Sequence, residues 1–312
     1  MTQTLAIGPF TEDEQKHLAS TFDSLFLTTP DALSDLDKSI LSGIKAVAYK
    51  GHKAFGAAEM AQLPNLGIIA NFGVGYDAID VTAASARDIR VTNTPDVLND
   101  DVADLAVGMI LMQSRRMEAA SGWVRSGNWA KVGDLPLNRK VTGARAGILG
   151  LGRIGQEIAT RLTAFKMDIH YWARSDKGIA DYTYHESPAA LAAAVDYLIV
   201  TLVGGPATEN FVDAAVLKAL GPNGVLINVS RGSTVDETAL LAALNDGTLG
   251  GAGLDVFRNE PNIDPRFLDA DNVVLQPHQG SGTVETRADM ARLQRDNITA
   301  FLNAEALPTA VN

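Results

Sequence analysis

Nine short apolar runs, spaced by amphipathic or alanine-rich segments, leave this chain few folds to choose from. The runs are Leu5–Ile7, Ala46–Tyr49, Leu66–Ala70, Ala146–Leu149, Ile169–Trp172, Tyr197–Val203, Val225–Val229, Gly251–Phe257 and Val273–Gln276. Residues 11–21, 77–87, 99–119, 153–166, 188–194, 211–220 and 236–246 lie between them and read as helices. The runs are mostly continuous rather than alternating, as expected of strands covered by helices on both faces. Strand–helix–strand order predicts an α/β protein with doubly wound parallel sheets. A chain of 312 residues holds about two such domains.

The boundary is set by two long helices. Segment 99–119 opens with acidic residues and ends in Arg115 and Arg116, a charge order that suits the helix dipole. A polar stretch, 121–143, follows it. A second long helix, about 283–303, carries Met290, Leu293, Ile298, Phe301 and Leu302 and can pack back on the first domain. The expected division is therefore 1–98 plus 284–312 for one domain and 99–283 for the other.

Charge and composition exclude several classes. The net charge of −11 makes the chain a poor binder of nucleic acid, because phosphate contacts need clustered cations. There is no cysteine, hence no disulfide framework and no thiolate chemistry. The five histidines, His17, His52, His170, His185 and His278, show no metal-ligand spacing, so no metal is expected. No apolar run reaches the length of a membrane span, and the start MTQTLAIGPF lacks the features of a signal peptide. A cytoplasmic protein without membrane contact is the expectation.

One strand end carries a motif. Residues 145–149 run directly into Gly150-Leu151-Gly152-Arg153-Ile154-Gly155, and a helix follows. Glycines at this spacing permit a tight turn and let backbone N–H groups reach a pyrophosphate at the helix N-terminus. With 28 glycines in the chain, the spacing alone arises by chance about 0.2 times per sequence, so the strand-turn-helix setting carries the inference. A dinucleotide is the ligand this predicts. About 20 residues on, an acidic residue usually accepts from the ribose 2′-OH. Here the strand ends Tyr171-Trp172-Ala173-Arg174-Ser175 without an acid. A cation and a hydroxyl suit a 2′-phosphate, which favours NADPH over NADH while leaving NADH possible; a solvated loop arginine is the plainer alternative.

Three later strands also end in polar residues. Val225–Val229 leads to Arg231, Gly251–Phe257 to Glu260, and Val273–Gln276 to His278. Ligands in open α/β sheets bind beyond the C-terminal strand ends. A His–Glu pair suits proton transfer, and an arginine is the natural fork for a carboxylate. Singly, Arg231 reads equally as a surface charge, Glu260 as a turn residue and His278 as a structural histidine.

Taken together, the runs Asn228-Val229-Ser230-Arg231-Gly232-Ser233-Thr234-Val235-Asp236, Gly251-Ala252-Gly253-Leu254-Asp255-Val256-Phe257 and Pro277-His278-Gln279-Gly280-Ser281 closely resemble the D-isomer-specific 2-hydroxyacid dehydrogenases. So does Asn71-Phe72-Gly73-Val74-Gly75-Tyr76-Asp77-Ala78-Ile79-Asp80. The resemblance covers essentially the whole chain. It is strongest to the glyoxylate/hydroxypyruvate reductase and hydroxyphenylpyruvate reductase branch, through Thr92-Asn93-Thr94-Pro95-Asp96-Val97-Leu98, Tyr171–Ser175 and Gly204-Gly205-Pro206-Ala207-Thr208.

The resemblance implies two Rossmann- or flavodoxin-like domains with an active-site cleft between them, and reduction of small 2-oxoacids to D-2-hydroxyacids. It implies that Arg231 binds the substrate carboxylate and carbonyl oxygen, that His278 is the general acid, and that Glu260 holds His278. Val74 and Gly75 match the loop whose N–H groups meet the carboxylate. Gly150, Leu151, Gly152, Arg153, Ile154 and Gly155 match the pyrophosphate loop, and Ala173, Arg174 and Ser175 the 2′ reader. Val229 and Asp255 match positions near the nicotinamide, and Gly280, Arg231 and His278 complete the cofactor set. Gln279 departs from the apolar residue many members carry there. A homodimer through 99–140 is expected, from Met109, Ile110 and Met112 followed by Trp123, Trp129, Val132 and Leu135. The competing reading is a nucleotide-sensing corepressor on the same fold, a binding module without turnover.

Overall fold

The computed structural model describes residues 3–312, which divide into two compact units: the segment up to Leu98 with Thr283–Asn312, and Asn99–Gly282.

The first unit is a five-stranded sheet. Its strands are β1 (Thr4–Ile7), β2 (Leu25–Leu27), β3 (Ala46–Tyr49), β4 (Ile68–Asn71) and β5 (Arg90–Thr92). They lie in the order β2-β1-β3-β4-β5, every pairing parallel. The two-residue period of a strand sorts the side chains. Leu5, Ile7, Val47, Tyr49 and Ile69 meet Leu33, Ile44, Phe55, Met60 and Leu63 on one face. Ala6, Ala46, Ala48, Ile68 and Ala70 form the other and receive Leu18 and Ile298. That smaller face is covered by the helix Glu12–Phe22, which a Thr11–Glu14 capping box starts, and by the closing helix Val284–Leu302. Buried Gln294 of the closing helix donates through Nε2 to the carbonyls of Tyr49 and Ala70, at 3.1 and 2.8 Å.

The second unit holds seven strands: β6 (Arg145–Leu149), β7 (Asp168–Trp172), β8 (Tyr182–Tyr184), β9 (Tyr197–Val200), β10 (Val225–Asn228), β11 (Gly251–Leu254) and β12 (Val273–Leu275). Their order is β12-β11-β10-β9-β6-β7-β8, again all parallel. Strand order reverses between β6 and β9, the switch point where such sheets open a ligand crevice. Arg161 ties the helix Arg153–Ala164 to the helix Asn99–Ser114, reaching Asp100 and Asp104 at 2.6 Å each.

Several expectations need correction. The segment 99–119 is not one helix: it ends at Ser114, and Arg116 takes a left-handed conformation (φ 46°) before a new helix, Met117–Arg125. Ser114 at that end hydrogen-bonds Tyr197 Oη at 2.8 Å. The segment 121–143 contains helix up to Arg125 and again over Asn128–Val132. The segment 77–87 is helical only over Val81–Ser85. Met109 and Ile110 do not face outward but are fully buried, Met109 against Gly253 of β11. Strands β2, β5 and β8 were not expected. No helix among the described residues is long and apolar enough to cross a membrane.

Candidate active site

At the switch point, β6 ends in the glycine turn. Gly150 has a φ of +107°, a conformation open to glycine, and its N–H donates to the Trp172 carbonyl at 2.9 Å. Gly155 allows a close approach: a Cβ there would lie 2.5 Å from the Gly150 carbonyl oxygen. At Gly152 a Cβ would meet nothing within 4 Å, so the turn is open on that side. No side chain caps the helix that starts at Arg153. An open flank beside uncapped N–H groups fits a pyrophosphate.

The end of β7 provides the next wall. Ala173 is buried, while Arg174 and Ser175 are exposed.

At the end of β10, buried Asn228 shapes the turn. Its Oδ1 accepts from Ser230 N–H at 3.1 Å, and its Nδ2 donates to the Arg231 carbonyl at 3.0 Å. The Arg231 guanidinium donates to the Ser230 carbonyl at 2.8 Å. Gly232 then lies flat on the next loop: a Cβ would sit 2.0 Å from the Phe257 carbonyl carbon. Any larger residue would therefore push the Arg231 turn away from the segment leading to Glu260.

The ends of β11 and β12 supply the acid–base pair. His278 Nδ1 lies 2.6 Å from Glu260 Oε2. A carboxylate only accepts, so Nδ1 carries the proton, and Nε2 is the ring nitrogen suited to exchange one with a substrate. Glu260 is fixed in turn by the Phe257 N–H, 2.8 Å from Oε1. His278 itself is left-handed (φ 54°), a conformation that costs a non-glycine residue about 1 kcal/mol or more. Asp255 holds it there. Its carbonyl accepts from His278 N–H at 2.9 Å, and its carboxylate accepts from the N–H groups of Gln279 and Gly280 at 2.6 and 2.8 Å. Burial pushes the Asp255 carboxyl above the usual carboxylate range.

The family model described as D-isomer specific 2-hydroxyacid dehydrogenase, NAD binding domain, matches residues 107–280. The chain belongs to this family. The dehydrogenase is 43% identical over 307 residues to a hydroxyphenylpyruvate reductase of Plectranthus scutellarioides, covering 98% of each chain. It is equally similar to a glyoxylate/hydroxypyruvate reductase of Arabidopsis thaliana, at 43% identity and 98% of each chain. Among solved structures it resembles an NADPH-dependent glyoxylate/hydroxypyruvate reductase of Sinorhizobium meliloti in complex with NADP and malonate. There the TM-score is 0.93, with 42% identity over 100% of this chain and 97% of that one.

Within the dehydrogenase's second unit, the sequence-derived pair Glu260 and His278 meets directly, and Arg231 sits on a turn packed against the loop of Glu260. Asp255 and Gly280 bond each other, so the Asp255 carboxylate and the Gly280 N–H position the histidine turn. Val74 and Gly75 belong to the first unit. There Asn71 Nδ2 donates to the carbonyls of Gly73 and Gly75, Asn93 Nδ2 to that of Val74, and Gly73 N–H to Thr94 Oγ1. Among the described residues the N–H groups of Val74 and Gly75 have no acceptor, which suits them to an anion. Asn71, Asn228 and the bracing role of Asp255 do not stand out in the sequence. The signal available was a polar residue at or just past the last position of an apolar strand.

Proposed function

We propose that this dehydrogenase reduces small 2-oxoacids, such as glyoxylate, hydroxypyruvate or an aryl pyruvate, to D-2-hydroxyacids with NADPH. The observation that carries the reading is the 2.6 Å bond between His278 and Glu260 at the sheet edge beyond the glycine turn. A corepressor that only senses nucleotide has no use for a proton donor braced on a carboxylate. In this reading Gly150, Leu151, Gly152, Arg153, Ile154 and Gly155 hold the pyrophosphate. Val229, Asp255 and Gly280 lie at the nicotinamide end, and the cofactor, when bound, supplies the hydride. Arg231 grips the carboxylate and stabilises charge growing on the carbonyl oxygen, and His278 delivers the proton to that oxygen. Val74 and Gly75 offer backbone N–H groups suited to a carboxylate. The unit Asn99–Gly282 is then the dinucleotide domain, and the segment up to Leu98 with Thr283–Asn312 the substrate domain. Initial rates on a panel of 2-oxoacids with NADPH test the proposal, and no turnover on any of them overturns it.

Nucleotide choice rests on Arg174 and Ser175. A guanidinium attracts a 2′-phosphate and bonds two of its oxygens. A hydrogen bond to a charged group contributes about 1.5–3 kcal/mol, which is about 10- to 150-fold. Arg174→Ala is expected to lower kcat/KM for NADPH by a factor in that range, with a far smaller loss for NADH. Equal efficiency of the unmodified enzyme with both nucleotides rules this reading out.

We also infer a homodimer through 99–140. With Met109 and Ile110 in the core, the argument moves to the apolar residues left outside: Trp129, Val132 and Leu137 are exposed by 60%, 69% and 102%. A patch of this kind on one segment fits an interface. Sedimentation at micromolar concentration is expected to give a dimer, and a monomer there refutes it.

A further inference from the structure

The loop joining β7 to β8, residues 173–181, carries Arg174 and Ser175 and also an acid beside them, Asp176. A free carboxylate two residues from Arg174 would neutralise the guanidinium or repel a 2′-phosphate. The Asp176 carboxylate is instead bonded within its own loop. Asp176 Oδ1 accepts from the Tyr171 hydroxyl and, at 2.9 Å, from Gly178 N–H. The Tyr171 hydroxyl accepts in turn from Lys177 N–H at 2.8 Å. Tyr171 is fully buried at the end of β7, its ring 5.5 Å from that of Tyr184 on β8, so the hydroxyl is a fixed anchor. Burial pushes the Tyr171 phenol up, and the Tyr171 bond holds the Asp176 carboxyl down. At neutral pH the pair is therefore a phenol donor and a carboxylate acceptor. No carboxylate among the described residues forms an ion pair with Arg174.

We propose that Tyr171 is a positioning residue for nucleotide specificity: it turns the Asp176 carboxylate into the loop, which keeps Arg174 available to the 2′-phosphate. The proposal rests on the NADPH reading above. NADPH preference then has two components, a cation present at 174 and an anion held aside at 176. Charges at a protein surface interact over several ångströms before salt screens them, so the released carboxylate acts on a doubly charged phosphate.

The test is a set of variants compared by the ratio of kcat/KM for NADPH to that for NADH. Calorimetric titration with 2′,5′-ADP and with 5′-AMP, which differ in the 2′-phosphate, accompanies it. Tyr171→Phe keeps the buried ring and removes the anchor. It is expected to lower the ratio about 5- to 10-fold and to weaken 2′,5′-ADP much more than 5′-AMP. Adding Asp176→Asn to Tyr171→Phe is expected to restore the ratio. Asp176→Glu leaves the core untouched and displaces the charge from its bonds, so it is expected to lower the ratio as well, whereas Asp176→Asn alone does not. An unchanged ratio in Tyr171→Phe overturns the proposal. So does a fall that Asp176→Asn fails to rescue, which would make Tyr171 merely structural. If Tyr171→Phe does not fold, equal ratios for Asp176→Glu and Asp176→Asn overturn it. Indifference of the unmodified enzyme to the two nucleotides overturns the NADPH reading first, and is seen before any variant is made.

Discussion

Alanine at position 278 is expected to reduce turnover of glyoxylate with NADPH by about 10²–10⁴-fold, the usual contribution of a placed general acid. Nucleotide affinity should change little. The side chain of His278 ends in a ring whose Nδ1 is committed to Glu260 at 2.6 Å, so its removal deletes the donor and leaves a carboxylate that can only accept. The glycine turn is built by other residues, from Gly150 to Gly155. The backbone at 278 is held through Asp255, by three hydrogen bonds that do not involve the imidazole. Steady-state rates measure the first part, and nucleotide titration by protein fluorescence the second. A loss of only a few-fold removes His278 from the role of acid.

Arg231→Lys is expected to lower kcat/KM by about 10- to 150-fold, the value of one charge-assisted hydrogen bond. KM should rise and kcat should fall together. The guanidinium offers a planar fork that grips a carboxylate and a neighbouring carbonyl oxygen at once, whereas an ammonium is a point charge on a flexible stem. The surroundings also favour arginine. One guanidinium nitrogen, Nη1, donates to the Ser230 carbonyl at 2.8 Å, which sets the plane of the fork. Lysine cannot hold that carbonyl and the substrate in the same geometry. Wild-type kinetics in this variant would show that Arg231 acts through charge alone or not at all.

Much of the architecture is legible in the residues, and the parts that are not have physical causes. The nine buried strands announce themselves because helices cover both faces and force continuous apolar runs. The three strands that escape notice, β2, β5 and β8, have three residues each, and all lie at sheet edges. Half-buried Leu25 and Leu27 flank exposed Phe26, and β8 is Tyr182-Thr183-Tyr184, so neither shows a core run. The break at Arg115–Arg116 is hidden for a different reason. Nothing local forbids a helix there; a tertiary bond from Ser114 to Tyr197 lies at the turn. At the candidate site, Arg231, Glu260 and His278 belong to reactive types and stand out. Asn228, which shapes the Arg231 turn, and Tyr171, which anchors Asp176, are ordinary residues of strand ends, and their contacts exist only once the chain is folded.

The alanine face of the first sheet has a consequence for the order in which the protein is made. Ala6, Ala46, Ala48, Ile68 and Ala70 are synthesised early, yet Ile298 of their covering helix emerges only after all of 99–282. The intervening unit is a continuous segment with its own core, free to condense on the ribosome while the earlier sheet still lacks half of its cover. During that interval the small, flat, apolar surface is open to chaperones and to its own kind. The first sheet can be closed only after the helix that carries Ile298 has been made.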